Sequence, residues 1–197
     1  MSSHHFVKEK QEPAIYIHSE DSLDTVLLGQ LLEWCPFVIA DEHALFVLNH
    51  EPIKIDLVIQ RDLTDDDIQL WTANQSNIKV LKLDTKEDKF TSVLNYLVAE
   101  QHFAISLIAC SDEHFEKLKN LDLPLDIIQY HPNYKAFFIK EHFLKWKEKD
   151  SILELNEEPI AFKNIVKQNN SWKVIEDGLV EINVNKKTLI KEYTLGN

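Results

Sequence analysis

Glycine is the residue this chain most conspicuously lacks: there are three in 197 residues, at Gly29, Gly178 and Gly196. Ordinary domains carry about 7% glycine. Loops that cradle phosphate depend on it, because the backbone must approach the anion closely and adopt positive φ. No glycine-rich loop occurs anywhere in the sequence, which argues against a conventional nucleotide cradle. Cysteine is scarce as well. Cys35 and Cys110 have no paired spacing, and each lies near an apolar run, so they read as buried thiols in a reducing compartment. Basic residues are outnumbered, with Lys+Arg at 21 against Asp+Glu at 33, for a net charge of −12. Such a surface repels phosphate backbones and anionic lipid, so nucleic acid and membranes are excluded as partners. It also opposes polyphosphate ligands, unless a local cation or metal reverses the field. No apolar run is long enough to span a bilayer, and Met1-Ser2-Ser3-His4-His5 carries no apolar leader core. A cytoplasmic protein is expected. Nine histidines are present, but none shows i, i+4 spacing with a third ligand, so no zinc site is expected. His4-His5 reads as part of a mobile N-terminus.

What the chain does have is a core: 44% of its residues are hydrophobic. Through the first two thirds, short apolar runs alternate with helical patterns. Ala14–Ile17, Phe37–Ala40, Leu57–Ile59, Lys79–Leu83, Ile105–Ala109 and Leu125–Gln129 read as strands. Between them lie helices, the first capped by Ser22 and ended by Pro36, another opened by a Thr64/Asp67 capping box. The strands are continuous apolar runs, the pattern of strands covered on both faces. Repeated β-α units of this kind predict an α/β fold, a doubly wound, mostly parallel, Rossmann-like sheet. After His131-Pro132-Asn133 the pattern changes to short β-prone runs separated by polar turns. The expected organisation is an α/β domain over 1–132 and a small all-β, sandwich-like domain over 133–197.

Specific segments carry a family resemblance. Ser2-Ser3-His4-His5, Gln11-Glu12-Pro13-Ala14 and Leu28-Gly29-Gln30-Leu31-Leu32-Glu33-Trp34 are similar to the N-terminal segment of one bacterial branch of the thiamine pyrophosphokinases. Pro36 to Asp56 aligns without a gap with the family stretch that ends in its first acidic loop. Phe143-Leu144-Lys145-Trp146 resembles the entry to the family's β domain. Asn170-Ser171-Trp172 and Glu176-Asp177-Gly178 resemble its closing segments. The resemblance implies transfer of a pyrophosphoryl group from ATP to thiamine, with magnesium and ATP on the α/β domain. It further implies a homodimer, with thiamine bound between domains at the dimer interface. Acidic metal ligands and glycine loops carry most of such chemistry.

The four motifs that the family uses are all altered. Where its first loop reads Asp-Gly, then Gly or Ala, then Ala, this chain has Asp41-Glu42-His43-Ala44. The simpler reading is a helix N-terminus with favourably placed acids. For Gly-Asp-x-Asp-Ser it has Gln60-Arg61-Asp62-Leu63-Thr64, which puts Arg61 where a magnesium ligand is expected. Only a register slip brings Asp62 into play, and Asp65-Asp66-Asp67 read as a solvated helical turn. For Lys-Asp-x-Thr-Asp it has Asp88-Lys89-Phe90-Thr91-Ser92, the first two residues exchanged, with Thr91 or Ser92 as a possible helix cap. For Gly-Gly-Arg-x-Asp-His the nearest stretch is Cys110-Ser111-Asp112-Glu113-His114, with His114 read as a surface histidine. In the β domain the segment between Leu155 and Asn170 is too short for the family's hairpin. Ser171, Trp172 and Trp146 are the candidates for a thiamine-like ligand, although core packing is the simpler reading of both tryptophans.

Loops altered together on a retained scaffold point to a catalytically impaired or inactive pseudoenzyme, either a homodimer or the partner of an active relative. An active enzyme is the alternative. Asp41, Glu42, Asp62, Asp88 and Asp112 would then supply metal ligands, Asp62 and Asp88 foremost for magnesium, and Arg61, Lys89, Thr91, Asp112 and His114 would face phosphate. A binder of a thiamine-like small molecule is the third reading. A loop region filled by the Gln60, Arg61 and His43 side chains would favour the pseudoenzyme.

Overall fold

Five strands pair in parallel: β1 (Ala14–Ile17), β2 (Val38–Asp41), β3 (Leu57–Gln60), β4 (Lys79–Lys82) and β5 (Ala104–Ile108), in the order β5-β1-β2-β3-β4. The computed structural model describes residues 12–19, 24–48 and 50–193. Every residue of β1, β2 and β3 is buried, as their unbroken apolar runs require of central strands. β4 differs: it is the sheet edge, and its residues are exposed or half-buried. The apolar run there marks an edge strand rather than a doubly covered one.

Helices α1 (Thr25–Leu32), α2 (Leu45–Leu48), α3 (Asp65–Trp71) and α4 (Lys89–Ala99) connect these strands. Ser22, the expected cap of α1, lies outside the described residues, as do His4 and His5. Asp24 caps that helix, accepting from the amides of Val26 and Leu27 at 3.0 Å each. The Thr64/Asp67 capping box at α3 is present in full. At α4 the cap is Asp88, not Thr91 or Ser92; its carboxylate accepts from the Thr91 amide at 2.8 Å. A carboxylate is the stronger acceptor beside a helix N-terminus, so it displaces the hydroxyls.

The second part of the chain is antiparallel. α5 (Asp112–Lys117) precedes β6 (Asp126–His131) and β7 (Tyr134–Ile139), followed by β8 (His142–Lys147), β9 (Ile152–Leu155), β10 (Ala161–Lys163), β11 (Ile165–Gln168), β12 (Ser171–Val174), β13 (Gly178–Asn183) and β14 (Thr188–Tyr193). Six of its strands lie in one sheet in the order β11-β12-β9-β14-β7-β6, and a three-stranded sheet runs β10-β13-β8. Phe137, Phe143, Leu153, Trp172, Val180, Ile182 and Ile190, drawn from both sheets, form one core. By contact the chain divides into two compact units. The first runs to Cys110 and includes Leu123–Asp126; the second comprises Ser111–Asp122 and the chain from Ile127 onward. Helix α5 thus packs with the β unit, whereas the sequence reading divides the chain at residue 132.

Glycine scarcity leaves its mark on the turns. Asn77, Asp150, Asn164 and Asn169 adopt φ of 63°, 67°, 63° and 54°, the left-handed region that Asn and Asp tolerate best after glycine. Cys35, Gln101 and Ala109 do the same, at 52°, 63° and 54°. Gly178 is the one described glycine placed where its freedom matters, at φ 152°.

Candidate functional site

The α/β unit gathers its buried charge at the C-terminal end of β2. Asp41 is the last residue of that strand, and Glu42 opens the 3₁₀ turn that follows; both are buried. Parallel pairing sets Asp41 beside Ile59 of β3, which brings residue 42 next to the turn leaving β3. From α4, Lys89 reaches inward. Its Nζ lies 3.1 Å from Asp41 Oδ1 and 3.0 Å from Glu42 Oε1. Two carboxylates and one ammonium are thereby removed from water together, an arrangement tolerable only when each charge is paired.

The remaining lone pairs are also taken. The Tyr16 hydroxyl donates to Asp41 Oδ2 at 3.1 Å, the His43 amide donates to Oδ1 at 3.1 Å, and His18 Nδ1 lies 3.7 Å from Oδ2. Burial pushes the Asp41 carboxyl up, but His18, the His43 amide and the Lys89 ammonium outweigh it and hold it below its ordinary value. Burial likewise opposes ionisation of Glu42, yet the amides of Leu63, Arg61 and Asp62, together with Lys89, leave its pKa lowered. Tyr16 moves the other way. Burial and the adjacent Asp41 charge raise the phenol well above its ordinary value, so it stays a donor.

Glu42 Oε2 accepts from three consecutive amides, Arg61 at 2.9 Å, Asp62 at 2.9 Å and Leu63 at 3.0 Å. Gln60 braces the same loop, donating to the Leu63 carbonyl at 2.7 Å and to Asp65 Oδ1 at 2.9 Å. The Arg61 guanidinium bonds the Glu87 carbonyl. The side chains of Asp62 and Asp88 are exposed, and Asp88 is engaged as the α4 cap. His43 is exposed as well, so its side chain does not fill the loop region.

Several of the solved structures that this architecture matches are thiamine pyrophosphokinases. The fold is that of the thiamine pyrophosphokinases. The enzyme of Bacillus subtilis superimposes with a TM-score of 0.70 at 13% identity, over 93% of this chain and 100% of that one. That of Candida albicans gives 0.70 at 10%, over 92% and 89%. The yeast enzyme gives 0.67 at 10%, over 93% and 87%. No family model matches the sequence, and no curated protein matches it.

In this thiamine pyrophosphokinase fold, the other sequence candidates make local contacts within the second unit. Asp112 and His114 belong to the β unit. Asp112 accepts from Gln129 Nε2 at 3.2 Å and from Lys191 Nζ at 2.6 Å, and it also bonds the Tyr134 hydroxyl. Half-burial works against it, but these donors lower its pKa. Here it ties the start of α5 to β6, β7 and β14. His114 is half-buried, and its Nδ1 lies 2.8 Å from Ser111 Oγ within the same helical turn. Ser111, the α5 cap, takes the His114 amide.

Ser171 Oγ donates to the Gln168 carbonyl at 3.1 Å, closing the β11–β12 turn. Trp172 is core, 5% exposed and edge-on to Phe162 at 4.7 Å. Trp146 is not core: it is 57% exposed on β8, opposite the exposed Leu179 of β13. Strand alternation explains the difference, since Phe143 of the same strand takes an inward position.

Asp41, Glu42 and His43 each offer a ligand atom, all within 4.8 Å of one another. This set does not fit a magnesium ion. An ammonium already lies between the two buried carboxylates, and Glu42 Oε2 is saturated by amides. Sequence reasoning missed Tyr16, His18 and the double role of Glu42. The available signal was Tyr16 itself, a hydroxyl-bearing residue inside a fully buried strand, whose phenol needs a partner.

Proposed function

We propose that this chain is a pseudoenzyme built on the thiamine pyrophosphokinase scaffold, unable to hold magnesium-ATP for pyrophosphoryl transfer. The observation that carries the reading is the position of Lys89. The motif it resembles has lysine followed by aspartate, and this chain exchanges them. The exchange turns a cation inward onto Asp41 and Glu42 and leaves Asp88 exposed as a helix cap. A site that needs carboxylates free for a divalent ion has both of them engaged by an ammonium tethered to the chain. Arg61 at a metal ligand's place and Leu63 at the second aspartate point the same way. So does the charge, because nearly all of the net −12 falls on the residues up to Cys110, the unit that would face the polyphosphate.

A cytoplasmic protein that pairs with a second copy, or with an active relative, is the role this reading assigns. No helix among the described residues is long and apolar enough to cross a membrane. A thiamine-like ligand is the weaker reading, since Trp172 is committed to the core. The test is calorimetric titration of magnesium-ATP and then thiamine, with thiamine diphosphate assayed in the same samples. No ATP heat and no product are expected. Saturable ATP binding with product would overturn the proposal in favour of an active enzyme with rewired ligands.

A further inference from the structure

We infer that Glu42 is the resident anion of the loop between β3 and α3, its carboxylate filling a nest of three main-chain amides that would otherwise receive an external oxyanion such as inorganic phosphate. The amides of Arg61, Asp62 and Leu63 converge on the single atom Glu42 Oε2 at 2.9–3.0 Å. Consecutive N–H groups aimed at one point form an anion-binding concavity. They are not the orphan donors of α3, because all three precede its cap, Thr64. The occupant comes from the 3₁₀ turn that follows the neighbouring strand β2, 19 to 21 residues earlier in the chain. It is 3% exposed, and its second oxygen is held by Lys89. The cation that would accompany a bound oxyanion is therefore also present, already paired.

The arrangement has a plain consequence. An occupant attached to the chain is present at an effective concentration that free phosphate does not match, so it is not displaced by ordinary ligand. Gln60 strengthens the effect by holding the Leu63 carbonyl and Asp65, which keeps the three amides aimed inward. Removing the Glu42 carboxylate leaves the nest formed but empty, with Lys89 beside it. The inference concerns the loop and not the chemistry, so it stands or falls separately from the loss of pyrophosphoryl transfer.

The experiment follows the backbone amides of residues 61–63 by NMR in the full chain, with inorganic phosphate as probe and no magnesium or ATP. In the unmodified protein these amides should be protected from exchange and unmoved by phosphate. In Glu42→Ala they should lose protection by about tenfold or more, and shift saturably with phosphate. Glu42→Gln keeps the shape and an acceptor but not the charge. It should fold, retain partial protection and show intermediate exchange. Should Glu42→Ala fail to fold, the glutamine variant decides, since protection equal to that of the unmodified chain would overturn the role of charge. Phosphate-induced shifts of these amides in the unmodified protein, or none in a folded Glu42→Ala, would likewise overturn the proposal. A chain that makes thiamine diphosphate while its 61–63 amides stay protected would sink the pseudoenzyme and leave this inference standing.

Discussion

Lys89 Nζ lies 3.1 Å from Asp41 Oδ1, with the carboxylate fully buried and the ammonium nearly so. Each group makes the burial of the other possible. Because Glu42 shares the same ammonium, removing Lys89 exposes two acids at once to an interior that cannot solvate them.

Lys89→Met keeps the length of the side chain and removes its charge. Breaking a buried pair in this way costs about 3–5 kcal/mol, and urea unfolding should read a loss of that order. Retention of full stability would mean that the carboxylates have another compensating partner.

The same pair sets a pH dependence. The Asp41 and Glu42 pKa values are lowered in the fold. They therefore contribute stability that is fully present above the ordinary carboxylate range and lost as pH falls through the lowered values. In Lys89→Met part of the offset to burial is lost, both pKa values rise, and the acid limb of the stability curve moves to higher pH. An acid limb at the same pH in both proteins would contradict this.

Trp172→Ala and Trp146→Ala form a contrast. The first opens a cavity in the β-unit core and should cost about 3–5 kcal/mol. The second removes an exposed ring from β8 and should change stability by no more than about 0.5 kcal/mol. Similar losses from both, measured by chemical denaturation, would refute the assignment of faces on β8 and β12.

Ala109 holds φ at 54°, where a β-carbon is unfavourable. Ala109→Gly should raise stability by about 0.5–1 kcal/mol, the relief of strain exceeding the extra entropy that glycine loses on folding. A lower Tm in the variant would show that the methyl makes packing contacts worth more than the strain.

Much of this protein is written in local patterns. Unbroken apolar runs mark β1 to β3 as central strands, and Thr64 with Asp67 marks the start of α3, because these features depend on neighbours in sequence. The shift to short β-prone runs marks the antiparallel region in the same way. The glycine count already argued against a phosphate cradle, and the turns confirm how the chain manages, by spending Asn and Asp at left-handed positions. Other features were not legible. Nothing local distinguishes Trp146 from Trp172, since which face of a strand is covered depends on the sheet opposite. Asp88 and Lys89 are adjacent, and only the direction of α4 decides that the ammonium turns inward and the carboxylate caps the helix.

The sequence by itself determined most of the elements, the burial of the three central strands and the lack of glycine-rich loops, because each is a matter of residue type and short-range spacing. Only the tertiary structure decided which partners the loop residues meet. Glu42 meets amides about twenty residues away and Lys89 meets carboxylates nearly fifty away, through the parallel pairing of β2 with β3 and the packing of α4. Long-range electrostatic partners are chosen by the fold, since a buried charge is stable only beside whichever opposite charge or donor the backbone delivers to it.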